Sequence, residues 1–182
     1  MFFIQSLIFI ISIAFGTASY AQPKQLDIVG IKPGVSSKEQ VQKVFGKGGF
    51  FEIGGIRLIC MAEYEQGRLG LFVCLTGEEY HSKDVTSGSE RNLSNVKVHK
   101  LLSKGFRKKF GQPTIVKDSE VQNGLGMSFK DQVVMWEDKQ GNRLRLMLRM
   151  DKIDEGLMII ESAERLSKEA LEEKQEEQNR KF

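Results

Sequence analysis

The chain has 182 residues, with 27 Lys and Arg against 24 Asp and Glu for a formal net charge of +3, and only two cysteines and two histidines. A charge this close to balance is too slight for a dedicated nucleic-acid binder without local clustering of basic residues, and the even composition excludes collagen-like, Pro-rich and Gln/Asn-rich chains.

Residues 1–21, MFFIQSLIFIISIAFGTASYA, contain no charged side chain, and their apolar run from Phe2 to Phe15 is broken only by Gln5, Ser6 and Ser12. That run is shorter than the roughly 20 residues needed to cross a bilayer. Ser19-Tyr20-Ala21 places small side chains where a signal peptidase reads, so the segment is expected to be a signal peptide cleaved before Gln22. With no Lys or Arg ahead of the run, an uncleaved N-terminal anchor is the competing reading. Cleavage implies a periplasmic or secreted product with no stable membrane insertion.

Residues 22–161 are expected to form a single α+β domain. LDIVGIKPGV ends in a Pro33-Gly34 turn. A helix follows at once, with Ser36 and Glu39, or Ser37 and Gln40, as the capping box. Val41, Val44 and Phe45 give it one apolar stripe, and Gly46 is placed for a left-handed C-cap. The glycines of GKGGFFEIGG lie after a helix and before strands, the reverse of a phosphate-binding loop, and are expected to form turns and bulges. Ile56 to Glu65 and Arg68 to Thr76 form a hairpin turning at Gln66-Gly67.

Cys60 and Cys74 flank that turn, and a closely spaced pair in an exported chain is expected to be a disulfide. Register is the difficulty. A turn centred on Gly67 sets the two cysteines opposite each other, whereas a strict two-residue turn puts them on different faces, and a three-residue turn or a bulge would reconcile the two.

GEEYHSKDVTSGSERN, residues 77–92, reads as a polar surface loop. Its Glu78, Glu79, His81 and Asp84 lack the spacing that would fix a metal site, so no metal and no cofactor are expected. Ser94 to Phe110 is a second helix, with Val98, Leu101, Leu102, Phe106 and Phe110 on one side and Lys97, Lys100, Lys104, Arg107 and Lys108 around the other. It ends in Phe110-Gly111 before Pro113, as the first ended in Phe45-Gly46. PTIVKD and GMSFKD read as strands, QVVMWEDKQGNRLRLMLRM as a hairpin around residues 139–142, and EGLMIIES as one more strand. Two divergent repeats of helix and hairpin, about 26–76 and 94–150, are thus expected to share an antiparallel sheet with helices on one face. Residues 162–182 form a charged helical tail whose first turns dock on the body.

Alternation from Arg143 to Met150 turns Leu144, Leu146, Leu148 and Met150 to one face and Arg143, Arg145 and Arg149 to the other. A row of guanidinium groups suits the recognition of carboxylates or phosphates, or else forms a solvated face whose stems cover the sheet; Trp136 on the neighbouring strand suits a protein interface, or else fills the space between sheet and helix; these four residues are the candidate partner-binding set. No Gly-x-Ser-x-Gly, His-Glu-x-x-His or clustered Cys/His pattern occurs, and no catalytic residue is assigned.

VGIKPGVSSKEQVQKVFGK resembles the opening of the SmpA/OmlA outer-membrane assembly lipoproteins and of the β-lactamase-inhibitor-protein-like repeats, and LLSKGFRKKFGQP looks like a second copy of that helix. The resemblance implies small α+β units that bind other proteins rather than catalyse a reaction. The lipid-bearing Cys of the assembly lipoproteins has no counterpart before Cys60. The expected function is an exported non-enzymatic binding or assembly module whose partner is another envelope or secreted protein. An inhibitor of an extracytoplasmic enzyme, and a small hydrolase or metal-dependent enzyme, are the alternatives.

Overall fold

A computed structural model of the chain describes residues 25–45, 50–76, 94–150 and 155–180. The expected signal peptide, the Gly46 cap and the loop bearing Glu78, Glu79, His81 and Asp84 lie outside the described residues. The elements are α1 (Lys38–Val44), β1 (Phe50–Ile53), β2 (Ile56–Glu65), β3 (Arg68–Leu75), α2 (Asn95–Phe110), β4 (Ile115–Gln122), β5 (Ser128–Glu137), β6 (Arg143–Met147), β7 (Leu157–Glu161) and α3 (Ala163–Asn179). The strands form a seven-stranded sheet in the order β1-β2-β3-β7-β6-β5-β4, antiparallel at every junction. The chain is therefore α+β, as expected.

The expected strands are present, with two differences. FFEI, inside the glycine-rich stretch, is an edge strand, and GMSFKD and QVVMWE are one continuous strand, β5. Of the two possible capping boxes at α1, Ser37 and Gln40 form it: the Ser37 N–H donates to Gln40 Oε1 at 2.8 Å and the Gln40 N–H to Ser37 Oγ at 3.4 Å. Ser36 is buried instead, its hydroxyl accepting from the Lys32 N–H at 3.0 Å. The helix ends at Val44 with an extended Phe45 as its cap.

One sheet face carries the core. Leu58, Phe72, Met158, Ile160, Leu146, Leu144, Val134 and Trp136 are buried there against Val98, Leu102, Phe106 and Phe110 of α2 and against Leu26, Ile28, Ile31 and Val41. Phe106 meets the Trp136 ring edge-on at 5.6 Å, and Phe51 meets Phe72 likewise at 5.2 Å. Such pairs add roughly 0.5–1.5 kcal/mol to the burial itself.

A buried polar node holds three remote segments together. The Asp138 carboxylate accepts from the Leu26 N–H at 2.8 Å, from the Gln140 and Asn142 N–H groups and from the Asn142 amide, while Asn142 Oδ1 accepts from the Ala163 N–H at 3.0 Å. A carboxylate so far from water is tolerable only because each of its oxygens has several donors. The entry to β7 is equally constrained. A Cβ on Gly156 would lie 2.6 Å from Met147 O and from Thr76 Oγ1, so only glycine lets these backbones close.

The cysteine register is settled by a bulge. A two-residue turn at Gln66-Gly67 pairs Glu65 with Arg68 and Tyr64 with Leu69, and the ladder then slips so that Glu63 faces Leu71 and Cys60 faces Cys74. Gly70 is the extra residue, and its carbonyl accepts from the Ser162 N–H at 2.8 Å where α3 begins. Cys60 and Cys74 are joined in a disulfide. Closing a loop of this length contributes about 3 kcal/mol in the chain-entropy account. Reductant should lower the urea midpoint of the protein by the equivalent of about 3 kcal/mol, and a C60A/C74A variant should show the reduced midpoint with or without it. An unchanged midpoint on complete reduction would rule out a stabilising bridge.

Candidate functional site

The face of the sheet turned away from α2 reads as three rows that cross the strands. The first row is Glu63, Leu71, Glu161, Arg143 and Glu137. The second is Met61, Val73, Ile159, Arg145, Met135 and Ile115. The third is Phe50, Ile59, Leu75, Leu157, Met147, Val133 and Lys117. Two adjacent rows are thus apolar almost from edge to edge, and the third is charged. Met61 is 63% exposed and Ile115 49%.

The guanidinium groups expected to line this face are engaged within the sheet. Arg145 rises from an apolar row and makes a bidentate pair with Glu161 on the adjacent strand, at 2.8 and 3.0 Å. Glu161 is 3% exposed, so its charge is stabilised mainly by this fork. Arg143 pairs with Glu137 at 2.8 Å across β5 and β6. Arg149 donates to Lys130 O at 2.8 Å and lies over the Phe129 ring at 5.2 Å. Arg143 and Arg145 of the expected row are therefore a charged margin to an apolar field, neutralised by carboxylates on neighbouring strands that the spacing within one strand does not reveal.

Trp136, expected beside the arginines, is on the other face. It is fully buried, with its indole N–H donating to Gly111 O at 3.1 Å. Even position 136 shares parity with the core residue Val134, and the register with Leu144 puts both in the interior. Cys60 and Cys74 are likewise structural.

The apolar rows were legible in a signal of another kind. LGLFVCL in β3, VVMW in β5 and LMII in β7 are continuous apolar runs rather than alternations, the pattern of strands covered on both faces. Among the described residues no three His, Cys, Asp or Glu side chains gather into a metal-sized cluster.

His99 of α2 is buried against β6, and its Nε2 has no hydrogen-bond partner among the described residues. Burial pushes its pKa below the ordinary value near 6.5, opposed by a hydrogen bond to the Leu146 backbone and by the Asp131 charge. The neutral ring is the form that packs.

Comparison with known protein families, curated proteins and solved structures found no match in any of the three.

Two outcomes follow from these environments. Arg145→Ser, which strands the buried Glu161 carboxylate, should cost about 3 kcal/mol in urea unfolding, whereas Arg143→Ser, which opens a more exposed pair, should cost no more than about 1 kcal/mol. Equal costs would contradict the assignment of Arg145 to the support of the fold. For His99, the unfolded chain binds its proton near pH 6.5 and the native chain only at lower pH. Stability should therefore fall as pH drops through that window, and His99→Phe should flatten the slope of the urea midpoint against pH. A slope unchanged by the substitution would place the linked proton elsewhere.

Proposed function

We propose that the chain is an exported, non-enzymatic protein-binding or envelope assembly module, and that another envelope or secreted protein packs against the two apolar rows of the outer sheet face. The observation that carries this reading is the apolar field from Met61 to Ile115, bordered on one side by paired charges. An apolar centre with a polar rim is the composition of protein interfaces, and exposed apolar patches of this continuity are uncommon on monomers. Arg145, pinned by Glu161, keeps its charge at the margin and lays its aliphatic stem over the centre.

Export is supported by residues 1–21, which have the pattern of a signal peptide, and by the disulfide, which persists in oxidising compartments. The periplasm or the extracellular space is the compartment of this reading. Helices packed on one face of an antiparallel sheet are also what the SmpA/OmlA and inhibitor-like resemblance implies. We further read α1 with β1–β3 and α2 with β4–β6 as two divergent copies of one helix-plus-hairpin unit, about 26–76 and 94–150, with Phe110 at the end of α2 in the core and Phe45 at the end of α1 packed against it.

A photo-crosslinking residue at Met61, in cells that export the protein, should yield a discrete adduct heavier than the chain and different in mass from two copies of it. Ile115→Asp, an exposed change in the same row, should abolish that adduct while shifting the melting midpoint little. No adduct from Met61, or the same adduct from a control position at Lys100 on the helix side, would remove the outer face from consideration.

A further inference from the structure

Helix α3 is 17 residues long, and none of them is buried. Its polar contacts with the body come from its first turn: Ser162 caps it, Glu164 accepts from the Gln66 amide at 3.1 Å, and Arg165 pairs with Glu63 at 2.5 Å. Beyond Arg165 the ion pairs among the described residues stay within the helix and its C-cap, as in Lys168 with Glu172 and Arg180 with Glu176. Most of the stability of a protein helix comes from packing an amphipathic face on a partner rather than from propensity. The distal half of α3 carries Glu169, Glu172, Glu173, Glu176 and Glu177 against the single Lys174, around Ala170 and a Leu171 that is 59% exposed.

Helix α2 has the complementary character. It contains no Asp or Glu, and Lys97, Lys100, Lys104 and Lys108 form a ridge at three- and four-residue spacing. Among the described residues, the only ion pair on α2 is that of Lys109 with Asp27. Alongside the ridge runs Leu101, 45% exposed, and then Gly105, where an added Cβ would meet nothing within 4 Å. Glycine is disfavoured in a helix interior, and no neighbour in the fold requires it here. What the missing side chain leaves is a groove of about 260 Å³ between α2, the Val29 turn and the β1–β2 turn.

We propose that the distal half of α3 from a second copy of this chain occupies that groove, setting Ala170 and Leu171 against Leu101 and Gly105, and Glu173 and Glu177 against Lys104 and Lys108. The same chain cannot supply the helix. Its α3 is pinned beside Glu63 and Gln66 at the end of β2, whereas the groove adjoins Gly54 and Ile56 at the start of β2. A ten-residue strand separates those ends by about 30 Å. With each copy giving one helix and receiving one, the contact closes as a two-fold dimer. This dimer leaves the outer sheet face untouched and is independent of the partner proposed for it.

Sedimentation velocity on the purified protein should show a dimer at low salt that dissociates as ionic strength rises above physiological. Truncation after Lys168 should give a monomer. Lys104→Glu with Lys108→Glu in one variant, and Glu173→Lys with Glu177→Lys in another, should each be monomeric with a melting midpoint like that of the parent monomer at high salt. Mixing the two should restore a dimer, because both exchanged helices then meet opposite charge. A monomer at low salt, a dimer that survives the truncation, or a mixture that stays monomeric would each overturn the proposal. So would a parent chain that remains monomeric and binds vesicles of anionic lipid through α2.

Discussion

Strand β7 lies between β3 and β6, and that placement is the constraint on which the rest of the molecule depends. The hairpin of β2 and β3 and the meander of β4 to β6 are each local structures, and they become one sheet only when residues 157–161 pair with both. Gly156 admits the strand past Met147 and Thr76, and Ser162 leaves it by donating to the bulge carbonyl of Gly70. The node of Asp138 and Asn142 then holds the N-terminal Leu26 and the start of α3 to the same end of the sheet. The pairing of β7 with β3, the Ser162 bond to Gly70 and the Leu26 bond to Asp138 span large sequence separations, so they must offset more loop-closure entropy than local hairpins incur.

Because β7 is central, its apolar run LMII must satisfy both sides of the sheet. Met158 and Ile160 enter the core, while Leu157 and Ile159 join Val73, Leu75, Met135 and Met147 on the other face. The ion pairs of Arg143 and Arg145 with Glu137 and Glu161 confine charge to the margin of that face. A pair with a buried carboxylate is a weak source of stability in itself, but this one keeps Glu161 from being an unpaired buried charge. The same sheet therefore has two different sides: an apolar field that no helix among the described residues covers, and a helix-covered side whose outer surface is strongly basic.

Much of the architecture was legible because it rests on short-range signals. The Ser37–Gln40 box, the Phe110-Gly111 end of α2, the turn at Gln66-Gly67 and the alternation of Leu144 and Leu146 are each written within a few residues. The disulfide was legible as a pair, though its register was not, since the slip at Gly70 depends on packing by Ser162 from the far end of the chain. Strand β1 was hidden by flanking glycines that resemble loop. The ion pairing of the arginine face was not legible: the carboxylates that meet Arg143 and Arg145 lie on β5 and β7, and strand order is not contained in any one strand's period.

Local propensity, capping and periodicity in this chain determine where helices and hairpins form and which residues of each strand share a side, because those properties are set by backbone sterics and near neighbours. Tertiary structure alone decided that Trp136 is interior, that Arg145 belongs to Glu161, that the outer face is apolar and that α3 stands clear of the core. Each of these depends on which strand lies beside which, and that is chosen by the burial of surfaces far apart in the chain.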